Sequence, residues 1–231
     1  MDLTTLFNHN RSMFFESDDQ GRVGFRGRYL SEFNEQDYAT KITGMSISGF
    51  KGKDLSGLAE VFPGVQRLTI EKTSNLKSLS GIEKFTSLND VRIEECSKLV
   101  DLSALAQVSN LTKLDLEKFL LEVPVVQFLV GLNIADLYLR STVTDLSNLS
   151  NLKSLSHLTL IGSGSTLEDL PILPKITTSF GLDGFPNLKT AAFMVNIDPT
   201  IRIRWWGPKK IGGLPTCLRT HEAFKNIELV D

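Results

Sequence analysis

Cys217 and His221 stand four residues apart, a spacing that brings two side chains together on one face of a helix. A thiol beside an imidazole is the raw material of a nucleophile, provided a third group orients the ring and a cleft admits substrate. Neither is visible nearby, so an enzyme with a Cys/His site in the C-terminal segment is kept only as an alternative. His157 and Cys96 read as members of a repeating pattern, not as a base or a reactive thiol. Other chemistry lacks its residues: there is no HExxH, no paired CxxC and no glycine-rich phosphate loop before a helix. The expectation is no catalytic residue, no metal, no cofactor and no small-molecule substrate.

Charge offers more. Glu71, Glu94 and Glu117 recur 23 residues apart, with Arg92, Asp115, Tyr138 and Arg140 in the same neighbourhoods of the pattern. Arg202, Arg204, Trp205 and Trp206 fall within five residues, the composition of an interface hot spot or of two rings closing a core. A net charge of −2 over 231 residues lacks the basic face of a general nucleic-acid binder.

The elements that must position these residues repeat. Val65-Gln-Arg-Leu68-Thr-Ile70 matches Leu88-Asn-Asp-Val91-Arg-Ile93 and Leu111-Thr-Lys-Leu114-Asp-Leu116. Similar units start at 42, 134, 155, 177 and 200, so eight units follow one another at 21 to 23 residues. Alternating apolar positions predict strands near 45–48, 68–71, 91–94, 114–117, 137–140, 158–161, 180–183 and 203–206. After each strand, apolar residues recur every third position, as in Leu76, Leu79, Ile82 and Phe85, which suits a tight 3₁₀ return. Ser56, Ser80, Ser103 and Ser147 follow one leucine of that ladder, where a hydroxyl could cap the turn, and Ser80 with Glu83 has capping-box spacing.

This pattern resembles the leucine-rich-repeat family, most closely its short-repeat internalin-like type. The resemblance implies an α/β right-handed solenoid with a concave parallel β-sheet and a 3₁₀ or loop convex side. The family's asparagine at the ninth position is replaced here by Phe50, Thr73, Cys96, Phe119, Thr142, Ser163, Phe185 and Pro208. Thr, Cys and Ser can partly supply the missing bonds; the bulky residues imply other partners for that backbone. The expected organisation is an N-terminal cap over 1–41, repeats over 42–206 and a C-terminal cap over 207–231. Residues 20–25 read as a degenerate first rung, and Thr216 to Val230 as a closing helix.

In such strands the third, fifth and seventh positions of each unit face outward and stack into columns. The seventh column places three glutamates on successive rungs, a repulsive arrangement that Arg92, Lys113 and Arg140 could relieve in part diagonally within a solvated sheet face, or that a basic or amide-rich partner would relieve from outside. The sequence therefore suggests a protein-interaction module whose concave face binds a protein, with a basic surface as one suitable complement. Glu71, Glu94, Glu117, Arg92, Asp115, Tyr138, Arg140 and Trp206 are the expected contacts. A stand-alone neutraliser and a bacterial effector both fit; a surface or adhesion protein is kept as an alternative that would call for an export or anchoring segment. With neither a signal-like N-terminus nor an apolar stretch of membrane length, the expected location is cytoplasmic, or outside the cell by a signal-independent route. Two cysteines, expected not to pair, agree with a reducing compartment.

Overall fold

The structure, a computed structural model, describes residues 14–17, 22–26, 41–121, 125–143, 146–162 and 165–230. Its contacts divide the chain into two compact units, Met1–Thr112 and Lys113–Asp231.

In the first unit, β2 (Arg22–Arg26), β3 (Gly44–Ser48), β4 (Arg67–Glu71) and β5 (Asp90–Glu94) run parallel in chain order. Register is fixed by equivalent positions: Met45 lies beside Leu68 and Leu68 beside Val91. Strand β2 is the degenerate first rung, with Val23 and Phe25 buried. Before it, β1 (Phe14–Ser17) pairs antiparallel with β2. The rest of the expected N-terminal cap lies outside the described residues.

The second unit stacks β6 (Lys113–Leu121), β7 (Asp136–Val143), β8 (Leu155–Ile161), β9 (Ile176–Asp183) and β10 (Arg202–Trp206), again all parallel. Leu114, Leu137, Leu158, Phe180 and Ile203 share one core row, and Leu116, Leu139, Leu160 and Leu182 the next. All of these are buried because a two-residue alternation sends every second side chain to the same face.

Return segments are short 3₁₀ turns: Ile82–Lys84, Ser103–Gln107, Val125–Leu129, Ser147–Asn151 and Ala192–Met194. A four-residue α-helical turn, Leu58–Val61, serves one rung. The serines do not cap these turns as the sequence suggests. The residue two places earlier does: Asp54 Oδ1 accepts from the Ser56 N–H and Asp101 Oδ1 from that of Ser103, each at 3.0 Å. Ser78 Oγ likewise accepts from the Ser80 N–H, and Glu83 reaches the N–H of Gly81 instead of Ser80, so no capping box forms. Ser103 and Ser147 are the first residues of their turns, one place past the N-cap position, and Ser80 stands one place before it, so none of these three hydroxyls occupies the capping position.

Two sets of backbone bonds tie each rung to the next. On the strand side, the Gln66 and Arg67 N–H groups both donate to the Thr43 carbonyl, and Asn89 and Asp90 both donate to that of Gln66. On the return side, the Lys77 N–H donates to the Lys53 carbonyl and that of Val100 to Lys77, while Ser78 bridges Asp101. The second unit repeats the device where Lys189 donates to Glu168 and Gly212 to Lys189.

The eighth position is left-handed in four of the rungs. Gly49 and Gly184 hold φ of 67° and 74°, and Lys72 and Glu95 hold 50° and 53° despite their side chains. That conformation lets the Gly49 N–H reach the Glu71 carbonyl of the next rung and that of Lys72 reach Glu94. At the ninth position Thr73 Oγ1 donates to the Glu71 carbonyl at 3.0 Å, and the Cys96 thiol to that of Glu94 at 3.4 Å. These two side chains stand in for the absent asparagine. Phe185 at the same position is buried in the core, whereas the side chains of Phe119, Thr142 and Ser163 lie outside the described residues.

The expected closing helix is absent. Thr216–Leu218 and Glu222–Phe224 are separate 3₁₀ turns, followed by β12 (Glu228–Val230), which pairs in parallel with β11 (Lys210–Gly212). Between the turns His221 is extended and caps the second one through Nδ1, which accepts from the Ala223 N–H. Apolar residues at period three sink Leu218 and Phe224 into the core, an arrangement one continuous helix would not achieve over so short a span.

Candidate functional site

The two columns that the sequence singles out divide between the units. In the first, Ser48, Glu71 and the in-register Glu94 occupy the seventh column. They are not a bare acidic strip. Arg92 Nη2 lies 3.2 Å from Glu94 Oε2 within the same strand, and Ser46 Oγ donates to Glu71 Oε1 at 3.5 Å. The alternation of β5 puts Arg92 and Glu94 on one face, so the arginine answers the charge that the column accumulates.

In the second unit Asp115, Tyr138, Thr159, Gly181 and Arg204 share the fifth column, and Glu117, Arg140, Ile161, Asp183 and Trp206 the seventh. Arg140 crosses between them: its Nε lies 3.4 Å from Asp115 Oδ1, and its guanidinium carbon 5.4 Å from the centre of the Tyr138 ring. Asp115 is only 5% exposed although its register points outward, which makes it the buried anchor of this cluster. A guanidinium over a tyrosine face adds a cation–π attraction. Burial pushes the Tyr138 phenol above its ordinary value, with the Asp136 charge adding to the effect. Glu117 sits in register with Arg140 and faces the same cation.

At the end of the stack the alternation continues. Ile203 is buried, Arg202, Arg204 and Trp206 point outward, and Trp206 is 60% exposed. Trp205 turns under the strand, where its ring lies 5.3 Å from that of Phe224 and its Nε1 donates to the Pro208 carbonyl. One tryptophan closes the core and its neighbour is displayed.

His221 is fully engaged. Because Nδ1 accepts from the Ala223 N–H, the ring proton sits on Nε2, which donates to the Ile201 carbonyl at 3.1 Å. An imidazole held in that tautomer has no lone pair left to take a proton from Cys217, so the pair is not a nucleophile and base. Both cysteines are free, Cys96 buried and Cys217 exposed. His157 Nδ1 lies 2.7 Å from Ser179 Oγ in the neighbouring strand, a contact within the third column. A 770 Å³ hollow on the return side includes Lys189 and Lys210 in its lining, but these are already paired with Glu168 and Glu228, both at 2.6 Å.

Sequence reasoning missed the capping role of Asp54 and Asp101 and the backing of Tyr138 by Arg140. The second was legible in principle, since positions five and seven of one strand share a face. No protein-family model matches the sequence, and no curated protein does. Among solved structures, an internalin from Listeria monocytogenes is similar at 18% identity and a TM-score of 0.37. The match covers 86% of this chain and half of that one. The fold rests instead on what the rungs show: parallel strands in equivalent register, 3₁₀ returns and hydrogen bonds on both sides give each unit the leucine-rich-repeat fold with short repeats.

Proposed function

We propose that this chain is a binding protein, and that the outward columns of its sheets receive another protein. The observation that carries this reading is the Tyr138–Arg140–Asp115 cluster. A half-buried aromatic ring with an arginine over its face, and a buried carboxylate 3.4 Å from that arginine, gathers aromatic and charged groups on one outward face, and aromatic and arginine side chains dominate interface energies. Glu117 borders it in the second unit; Glu71, Arg92 and Glu94 form the corresponding surface of the first. Since Arg92 already answers Glu94, recognition there depends on the pattern of paired charges more than on bare negative charge.

The test is affinity for a partner captured from the source cell and then purified. Tyr138→Ala should weaken binding at least tenfold while leaving the fold intact, and Glu94→Lys with Glu117→Lys should flatten the salt dependence. Unchanged affinity in all of these variants would move the interface off these columns.

A further inference from the structure

The segment from Arg202 to Val230 carries Arg202, Arg204, Lys209, Lys210, Arg219 and Lys225 against only Glu222 and Glu228, in a chain whose net charge is −2. Both of those carboxylates are taken, by Lys225 at 3.7 Å and by Lys210 at 2.6 Å. Arg202 and Arg204 have no ion-pair partner among the described residues, and both are exposed. They stand on a low floor, because their neighbours in β9 are Ser179 and Gly181. Nothing steric demands the glycine: a Cβ there would meet Thr159 Oγ1 at 3.4 Å, an ordinary contact. Two residues beyond Arg204 on the same face stands Trp206, 60% exposed, with Asp183 beside it. The underside of the strand is occupied, since Trp205 packs on Phe224 and His221 bonds Ile201, so this outward face is the part left open.

Resting on the reading of the chain as a protein-binding solenoid, we propose that the outward face of β10 docks an extended acidic segment of a partner protein. Two carboxylates of that segment meet Arg202 and Arg204, and an apolar side chain lies on Trp206. Geometry sets the spacing. Outward residues of a strand repeat every two positions, about 6.6 Å apart, and an extended peptide presents its own alternate side chains at the same interval. Carboxylates at positions one and three and an apolar residue at five therefore match the guanidinium, guanidinium and indole. Arginine forks favour carboxylates bidentately, and an exposed tryptophan beside them supplies apolar contact. A nucleic acid fits less well, because two guanidiniums are few for a phosphate backbone and the rest of the chain is acidic. A second copy of the same face is excluded by its own charge.

A labelled heptapeptide with glutamate at positions two and four, phenylalanine at six and serine elsewhere tests this on the full chain, by fluorescence anisotropy at low salt. Saturable binding is expected, weakened at least tenfold by Arg202→Glu with Arg204→Glu and by Trp206→Ala, and weakened by added salt. Replacing the peptide's glutamates with glutamine should cost at least as much. Circular dichroism melts check that the variants fold. No saturable binding below 1 mM overturns the proposal, as do equal binding of the glutamine peptide, an unaffected double arginine variant or tighter binding of a thymidine oligonucleotide. A natural partner that loses affinity with Tyr138→Ala but not with the double arginine variant leaves the general reading standing and sinks this one.

Discussion

Asp101 shows how much one exposed carboxylate can organise. It accepts from the Ser103 hydroxyl and N–H and from the Ser78 hydroxyl, at 2.6 to 3.0 Å, and these bonds, with Ser103 first, hold its carboxyl below the ordinary range. A carboxylate whose pKa falls on folding stabilises above the unfolded value of about 4, and that contribution disappears as pH drops through the lowered value. Asp101→Ala should therefore lose stability at neutral pH, by about 1 kcal/mol for a lost cap, and show a melting temperature that varies less between pH 5 and 3 than the parent's. An identical pH profile would remove Asp101 from that role. The two thiols invite a second measurement. Burial pushes the Cys96 thiol up, against the hydrogen bonds it makes, whereas Cys217 is exposed. Iodoacetamide should modify one cysteine rapidly in the native protein and both in denaturant, and mass spectrometry should place the native adduct on Cys217. Rapid native modification of Cys96 would mean that its rung opens easily.

Within each rung, the cost of a change depends on whether it touches the core row or the turn that follows. Leu114 is fully buried in β6, so Leu114→Ala should cost roughly 2 to 5 kcal/mol in chemical denaturation. Gly49 is the cleaner probe of backbone strain, because a Cβ placed there meets nothing within 4 Å while φ is 67°. Gly49→Ala should thus cost about 1 kcal/mol through conformation alone; a neutral substitution would show that the turn relaxes. Strand positions and core rows were legible in the sequence because a slip of one residue would turn Leu68 and Ile70 to solvent, so only one register is admissible. The C-terminal turns were not legible, since apolar residues at three- and four-residue intervals serve a short helix and a 3₁₀ rung alike until His221 is seen to be extended. The glutamate column and the arginine that relieves it were both readable, because positions five and seven of one strand share a face; that Arg92 pairs with Glu94 of its own strand at 3.2 Å depends on a side-chain choice that spacing does not dictate.

Across each unit, stability accumulates from contacts between neighbouring rungs, so strands flanked on both sides should open last. In the second unit, amides of β8 should exchange with deuterium more slowly than those of β10, which has a strand on one side only; faster exchange in β8 would contradict a stack held by its neighbours. The paired bonds at strand and return side lead to a different expectation when the molecule is stretched instead of heated. A rung pinned at two places cannot peel residue by residue, because freeing the strand leaves the return segment still fastened. Pulled from one end in an optical trap, each unit should yield in discrete steps of on the order of 70 Å, the length of one repeat drawn straight less the gap it occupied. Such a chain behaves as a ratcheted tape, storing extension in equal packets and taking each back whole when the load is released.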